Sequence, residues 1–134
     1  MFCCLPQALA AQELNALKNS LGKTKRDTNR VAALIRLGRY YKELPDSISG
    51  KNDTAHYYLN SAIALSRSIG SVDQLNLALS EKAHTHIFQA DFKSAELLFR
   101  QIADYYHKIG NYEKEADYWT IYGSILKFDD PRLL

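Results

Sequence analysis

His84-Thr85-His86 is the one stretch that invites metal chemistry, since imidazoles close in sequence are common ligands. On a helix, residues two apart point about 200° apart. The pair then cannot chelate one ion from one face, and no metal site is expected. His56 and His107 stand singly, as surface or groove-rim residues. Glu113-Lys114-Glu115 reads as first-turn helix charge and Asp129-Asp130 as a terminal loop. No serine sits in a Gly-x-Ser-x-Gly elbow. The six glycines are scattered, and none builds a phosphate loop. These residue types predict no catalytic residue, no metal and no cofactor. Binding, not catalysis, is the chemistry left to the chain.

The 134 residues have room for one domain with a working core. Seventeen basic residues against fifteen acidic leave a net charge of +2, which gives no electrostatic case for nucleic acid. Lys23-Thr24-Lys25-Arg26 is the densest basic cluster and reads as a solvated loop. The first eleven residues, MFCCLPQALAA, carry no charge. Ala8-Leu9-Ala10 has the small-residue spacing of a signal peptidase site, but a basic n-region is missing and the apolar run is short. Two readings stay open: a signal peptide whose start lies upstream of Met1, or an ordinary first helix. Charged, helix-forming sequence begins at Gln12-Glu13, which favours the first and an exported, periplasmic location; the second leaves the chain cytoplasmic. Both cysteines, Cys3 and Cys4, lie in this segment, and adjacent cysteines rarely bridge each other. No run is long enough to span a membrane.

The remainder predicts five or six helices of similar length and almost no strand. Leu14, Leu17 and Leu21 share one face of a first helix that Gly22 should stop. Asp27 can cap the next, which should end at Pro45. Residues 45–52 read as loop. Asp53 can cap a helix to Ser68, with Gly70 in the left-handed position after it. Ser71 and Gln74 have capping-box spacing for a helix to about Gln89. Asp91 and Asn111 can cap two further helices, each after a tight turn. The division expected is a leading segment over 1–11, a helix and linker over 12–27, and a helical repeat domain over 28–134. That domain splits at 28–70, 71–110 and 111–134.

Residues 55–70, AHYYLNSAIALSRSIG, and 95–110, AELLFRQIADYYHKIG, share an outline though only three of sixteen positions are identical. The repeat is a pair of helices. Its A helices read Leu34-x-x-Leu37-Gly38-x-x-Tyr41, Leu79-x-x-Lys82-Ala83-x-x-His86 and Trp119-x-x-Tyr122-Gly123-x-x-Leu126. Its B helices read Ala55-x-x-x-Leu59-x-x-Ala62 and Ala95-x-x-x-Phe99-x-x-Ile102. Small residues at 38, 83 and 123 would let the B helix approach, Ala55 and Ala95 would supply the matching gap, and the large residues would fill the layer between.

This pattern resembles the tetratricopeptide repeat, over residues 28 to 127. The resemblance implies an all-α fold, an α-solenoid of roughly two and a half antiparallel helix hairpins in a right-handed superhelix. The sequence departs from the family at Lys82 and His86, in an insertion between Tyr41 and Ala55, and in its period, which from Ala55 to Ala95 is longer than the family's. The texture of KTKRDTNRVAALIRLGRYY and NDTAHYYLNSAIALS is similar to the repeat-containing input regions of bacterial sensor histidine kinases and regulators of the Bacteroidetes type.

By the family pattern, a concave face is lined by Ile35, Arg39 and Lys42, by Leu77, Ser80, His84 and Ile87, and by Asp117, Thr120 and Ser124. This mixed surface lacks a Lys/Asn/Arg clamp for a peptide carboxylate. The resemblance therefore implies side-chain recognition of a protein or peptide segment, or of an adjacent domain of the same chain. The role expected is a non-catalytic input module of a larger signalling protein, whose catalytic domain, such as a kinase, would lie elsewhere. The alternative is a free-standing envelope adaptor that self-associates through its open C-terminal end, where Trp119 and Tyr122 would lack half their packing. The nine tyrosines include the doublets Tyr40-Tyr41, Tyr57-Tyr58 and Tyr105-Tyr106. They could form an aromatic ligand surface; the reading favoured is that one member of each fills an interhelix layer and its neighbour covers a seam.

Overall fold

A computed structural model describes residues 4–23 and 27–129, with side chains over 12–22 and 27–124. Met1 to Cys3, Thr24 to Arg26 of the basic cluster, and Asp130 onward lie outside the described residues. Among those described, the chain is all-helical with no strand: α1 (Cys4–Lys23), α2 (Thr28–Lys42), α3 (Lys51–Ile69), α4 (Val72–Phe88), α5 (Phe92–Lys108) and α6 (Tyr112–Asp129). No helix among the described residues is long and apolar enough to cross a membrane. The chain forms two compact units, Met1–Leu75 and Asn76–Leu134.

In the first unit α2 packs against both α1 and α3. α1 runs unbroken through residue 11 and through Gly22, where a stop was expected. A glycine inside a helix costs only about 1 kcal/mol. The Arg30 guanidinium moreover donates to the Leu21 carbonyl at 2.6 Å, satisfying one of the last carbonyls of α1. Asp27 caps α2, its carboxylate accepting from the backbone of Asn29 at 3.0 Å and Arg30 at 3.2 Å. Val31, Leu34, Leu37, Ala55, Leu59 and Ala62 form the buried seam of this unit. At its centre, a Cβ added to Gly38 would meet Leu59 Cγ at 2.5 Å and Cδ2 at 2.6 Å. The missing side chain at 38 is the space that Leu59 fills.

The loop between α2 and α3 is tied by Lys51, a buried lysine. Its ammonium donates to the carbonyls of Lys42 at 3.2 Å and Leu44 at 2.7 Å, and pairs with Asp46 at 2.8 Å. All three donors are thereby used: on the Lys42 carbonyl at the last turn of α2, on the Leu44 carbonyl just past its cap, and on Asp46. With Lys51 drawn inward, the N-cap of α3 lies three residues before the expected Asp53. Gly50 takes the cap position at φ 74°, and Asp53 lies in the first turn, where its charge suits the positive end of the helix.

The capping box at Ser71 does not close. Gln74 sends its amide N–H to the Thr28 carbonyl at 2.9 Å instead, and its side-chain oxygen accepts no hydrogen bond among the described residues. The Ser71 N–H that the box would need donates to the Ser66 carbonyl at 3.0 Å.

In the second unit Ala83 and Ile87 of α4, Ala95 and Phe99 of α5, and Tyr122 of α6 make one buried cluster. Phe92, Leu98 and Tyr118 pack around it. Asp91 caps α5 through the Ser94 N–H, and Asn111 caps α6 through the Lys114 N–H, both at 3.2 Å. The turns ending α3, α4 and α5 share one design. Ser71, Asp91 and Asn111 each return a backbone N–H to the carbonyl five positions back, at 3.0, 2.8 and 2.9 Å. The residue before each is left-handed: Gly70 at φ 73°, Ala90 at 59° and Gly110 at 75°. The same turn thus recurs at even spacing, once at the end of segment 28–70 and twice in segment 71–110.

Three stability outcomes follow from this geometry. Gly38→Ala should lower unfolding free energy by about 1–3 kcal/mol through overpacking against Leu59, whereas Gly123→Ala, with no atom within 4 Å of the new Cβ, should raise it by about 0.5–1 kcal/mol through helix propensity. Ala90→Gly should raise it by about 0.5–1 kcal/mol by relieving the left-handed alanine. Urea titration of the three variants checks each direction.

Candidate partner-binding face

The residues expected on a concave face divide by burial. In the first unit Ile35 and Lys42 are buried in the packing, and Arg39 is exposed on α2. In the second unit Ser80 and Ile87 are buried, Leu77 is 42% exposed, and His84 is half-buried. Asp117, Thr120 and Ser124 are all exposed on α6. Thr120 turns its hydroxyl back to the Ala116 carbonyl at 2.8 Å. Six of the ten positions are thus open to a partner, and four serve the core.

His84 is held on two sides. Its ring lies 5.7 Å from that of Phe99, and Nδ1 is 3.9 Å from the carboxylate of the buried Glu81. Phe99 continues to Tyr122 at 5.1 Å and Tyr122 to Trp119 at 6.0 Å. This aromatic train leads from α4 through α5 to α6. Tyr122 is buried by it, against the expectation that it would lack half its packing, while Trp119 stays 37% exposed. The other positions expected in the packing layers (Leu34, Leu37, Gly38, Ala55, Leu59, Ala62, Leu79, Ala83, Ala95, Phe99 and Ile102) are all buried. Tyr41 is half-buried and Gly123 exposed.

Stacked tyrosines join neighbouring helices in both units. Tyr41 lies on Tyr58 at 5.7 Å and Tyr106 on Tyr118 at 5.6 Å. Lys18 stands over the Tyr41 ring at 6.0 Å and Lys114 over the Tyr106 ring at 5.2 Å. Tyr57 is exposed beside Tyr58, and Tyr105 is more open than the buried Tyr106, but Tyr40 and Tyr41 are both half-buried.

A separate cleft of about 410 Å³ opens in the first unit, lined by α1, α2 and α3. Arg30, Tyr57, Tyr58, Ser61 and Leu65 are among its walls, and none of Ile35, Arg39 or Lys42 takes part. Sequence reasoning followed the apolar stripe 55-59-62 of α3 and preferred a packing role for Tyr57-Tyr58 over an aromatic ligand surface; Arg30, Ser61 and Leu65 gave no signal of their own.

The remaining titratable contacts are local. His86 Nδ1 lies 3.3 Å from Asp91, and His107 Nδ1 lies 2.9 Å from Glu115. Among the described residues, no three His, Cys, Asp or Glu side chains gather to hold a metal. No protein-family model, curated protein or solved structure matches the chain.

The Asp91 carboxyl is held below its ordinary value of 3.8 by hydrogen bonds from the Ser94 side chain and backbone, and further by His86. A depressed carboxylate contributes stability above its unfolded pKa and loses it as the pH falls through the folded one. Asp91→Ala should therefore cost about 0.5–1 kcal/mol at neutral pH. The gap to the unmodified protein should narrow below pH 3.8, as read by urea unfolding across a pH series.

Proposed function

We propose that this chain is a non-catalytic protein–protein interaction module of tetratricopeptide type, an α-solenoid of roughly two and a half hairpins in a right-handed superhelix. One observation supports the reading: in the first unit the small residue Gly38 of α2 admits Leu59 of α3, and in the second the small residue Ala83 of α4 shares a buried cluster with Ala95 and Phe99 of α5, at matching motif positions. A repeated seat of this kind builds stacked hairpins and leaves the A-helix faces for a partner.

The positions offered are Arg39 on α2 in the first unit, and Leu77 and His84 on α4 with Asp117, Thr120 and Ser124 on α6 in the second. Their charges have both signs, which suits a mixed polar and apolar protein segment, or a neighbouring domain, more than nucleic acid. The wider role suggested by the sequence texture is the input region of a bacterial signal-transduction protein, with an exported location.

Site-specific photocrosslinking in the source cells tests the face. A photoreactive residue at Arg39 or at Thr120 should give discrete adducts with one protein, and one at the exposed Asn60 of α3 should give none. Adducts from all three positions alike, or none from Arg39 and Thr120, would overturn the assignment. Adducts at twice the chain mass would give the face to a second copy instead of a foreign partner.

A further inference from the structure

We propose that the cleft among α1, α2 and α3 binds a small amphipathic monocarboxylic acid. The idea is independent of the partner-binding face. It rests on one cation, an apolar floor and the size of the space.

Among the described residues, Arg30 is the only charged one lining the cleft, and no described acidic side chain faces it there. The guanidinium is already anchored, since Nη1 donates to the Leu21 carbonyl at 2.6 Å. That is the only hydrogen bond its side chain makes among the described residues. A guanidinium carries five donors in a rigid fork that matches a carboxylate. One is committed to the C-terminus of α1, and the others remain for a ligand. Because the anchor fixes the side chain before binding, less rotamer freedom is lost when an anion arrives.

The floor is apolar. Leu34 and Leu65 are buried beneath the opening, so a ligand laid on them removes little further protein surface but shields its own body from water. Tyr58 is held in place by its stack on Tyr41, and Tyr57 stands exposed at the rim. Ser61 offers no fixed donor to a ligand, because its hydroxyl donates to the Tyr57 carbonyl at 2.9 Å. The one guanidinium among the described lining residues matches a single carboxylate. The hydrocarbon floor favours an acid with an aliphatic or aromatic body over a bare ion.

Size selects a free acid over a docked protein. The space of about 410 Å³ lies at the small end of the range of small-molecule sites. Eight residues line it, far fewer than the roughly 20–30 that a stable protein interface typically takes from each side.

The test is an amide-detected NMR titration of the full chain with 2-naphthoate, with 2-naphthamide as its uncharged counterpart. Naphthoate should shift the Arg30 side-chain N–H and the amides of Leu34, Ser61 and Leu65 in a saturable way. Naphthamide should bind about tenfold more weakly or worse. Arg30→Gln should weaken naphthoate by a similar factor. Ala64→Phe, at an exposed α3 position in the cleft wall, should block the probe while leaving the Arg30–Leu21 bond in place. Unchanged naphthoate binding in either variant would overturn the proposal. So would equal binding of the two probes, shifts centred outside the cleft, or no saturable shift at millimolar concentration.

Discussion

The absence of one side chain, at Gly38, sets how closely α2 and α3 can lie. With no Cβ in the way, Leu59 enters the surface of α2 and is fully buried. Val31, Leu34 and Leu37 close around the same seam. Dispersion falls steeply with distance, so a gap of even half an ångström would forfeit roughly a quarter of each contact. A fully buried leucine contributes about 1.5–3 kcal/mol, and that gain depends on the glycine. Ala83, Ala95 and Phe99 solve the problem differently in the second unit. There alanine on both helices makes room for a larger ring.

The turns that end α3, α4 and α5 use one geometry three times, at Gly70, Ala90 and Gly110, evenly spaced along the chain. This explains how segments 55–70 and 95–110 share an outline with so little identity. The interlock constrains a few small and large positions, and the turn constrains one left-handed residue and one cap. Everything between is free to vary. The loop after α2 escapes the turn rule, and there Lys51 takes its place by binding the carbonyls of Lys42 and Leu44 directly.

Sequence reasoning located the helices because amphipathic spacing and caps are local properties. Asp27, Asp91 and Asn111 each cap the helix assigned to them, because an N-cap needs only the N–H groups two or three positions on. The errors came where a distant group won. Gln74 turned to Thr28 instead of Ser71, Lys51 reached back to α2, and Arg30 helped carry α1 past Gly22. Ala90 was invisible for another reason: nothing in its residue type announces a left-handed backbone. The binding face was legible only as a register. Helical spacing names the positions, but Ile35, Lys42, Ser80 and Ile87 are buried because neighbouring structure covers more of each helix than one stripe. The cleft was not legible, since it is assembled from three helices around a carbonyl at the end of α1.

The interlock is tested most directly by a double-mutant cycle between Gly38→Ala and Leu59→Ala, with unfolding free energies from urea titration. If the glycine exists to admit Leu59, trimming the leucine should abolish most of the penalty for the new Cβ, giving a coupling energy of about 1–3 kcal/mol. Additive effects of the two substitutions would show that Gly38 and Leu59 are not one contact, and the account of how these helices are joined would fail.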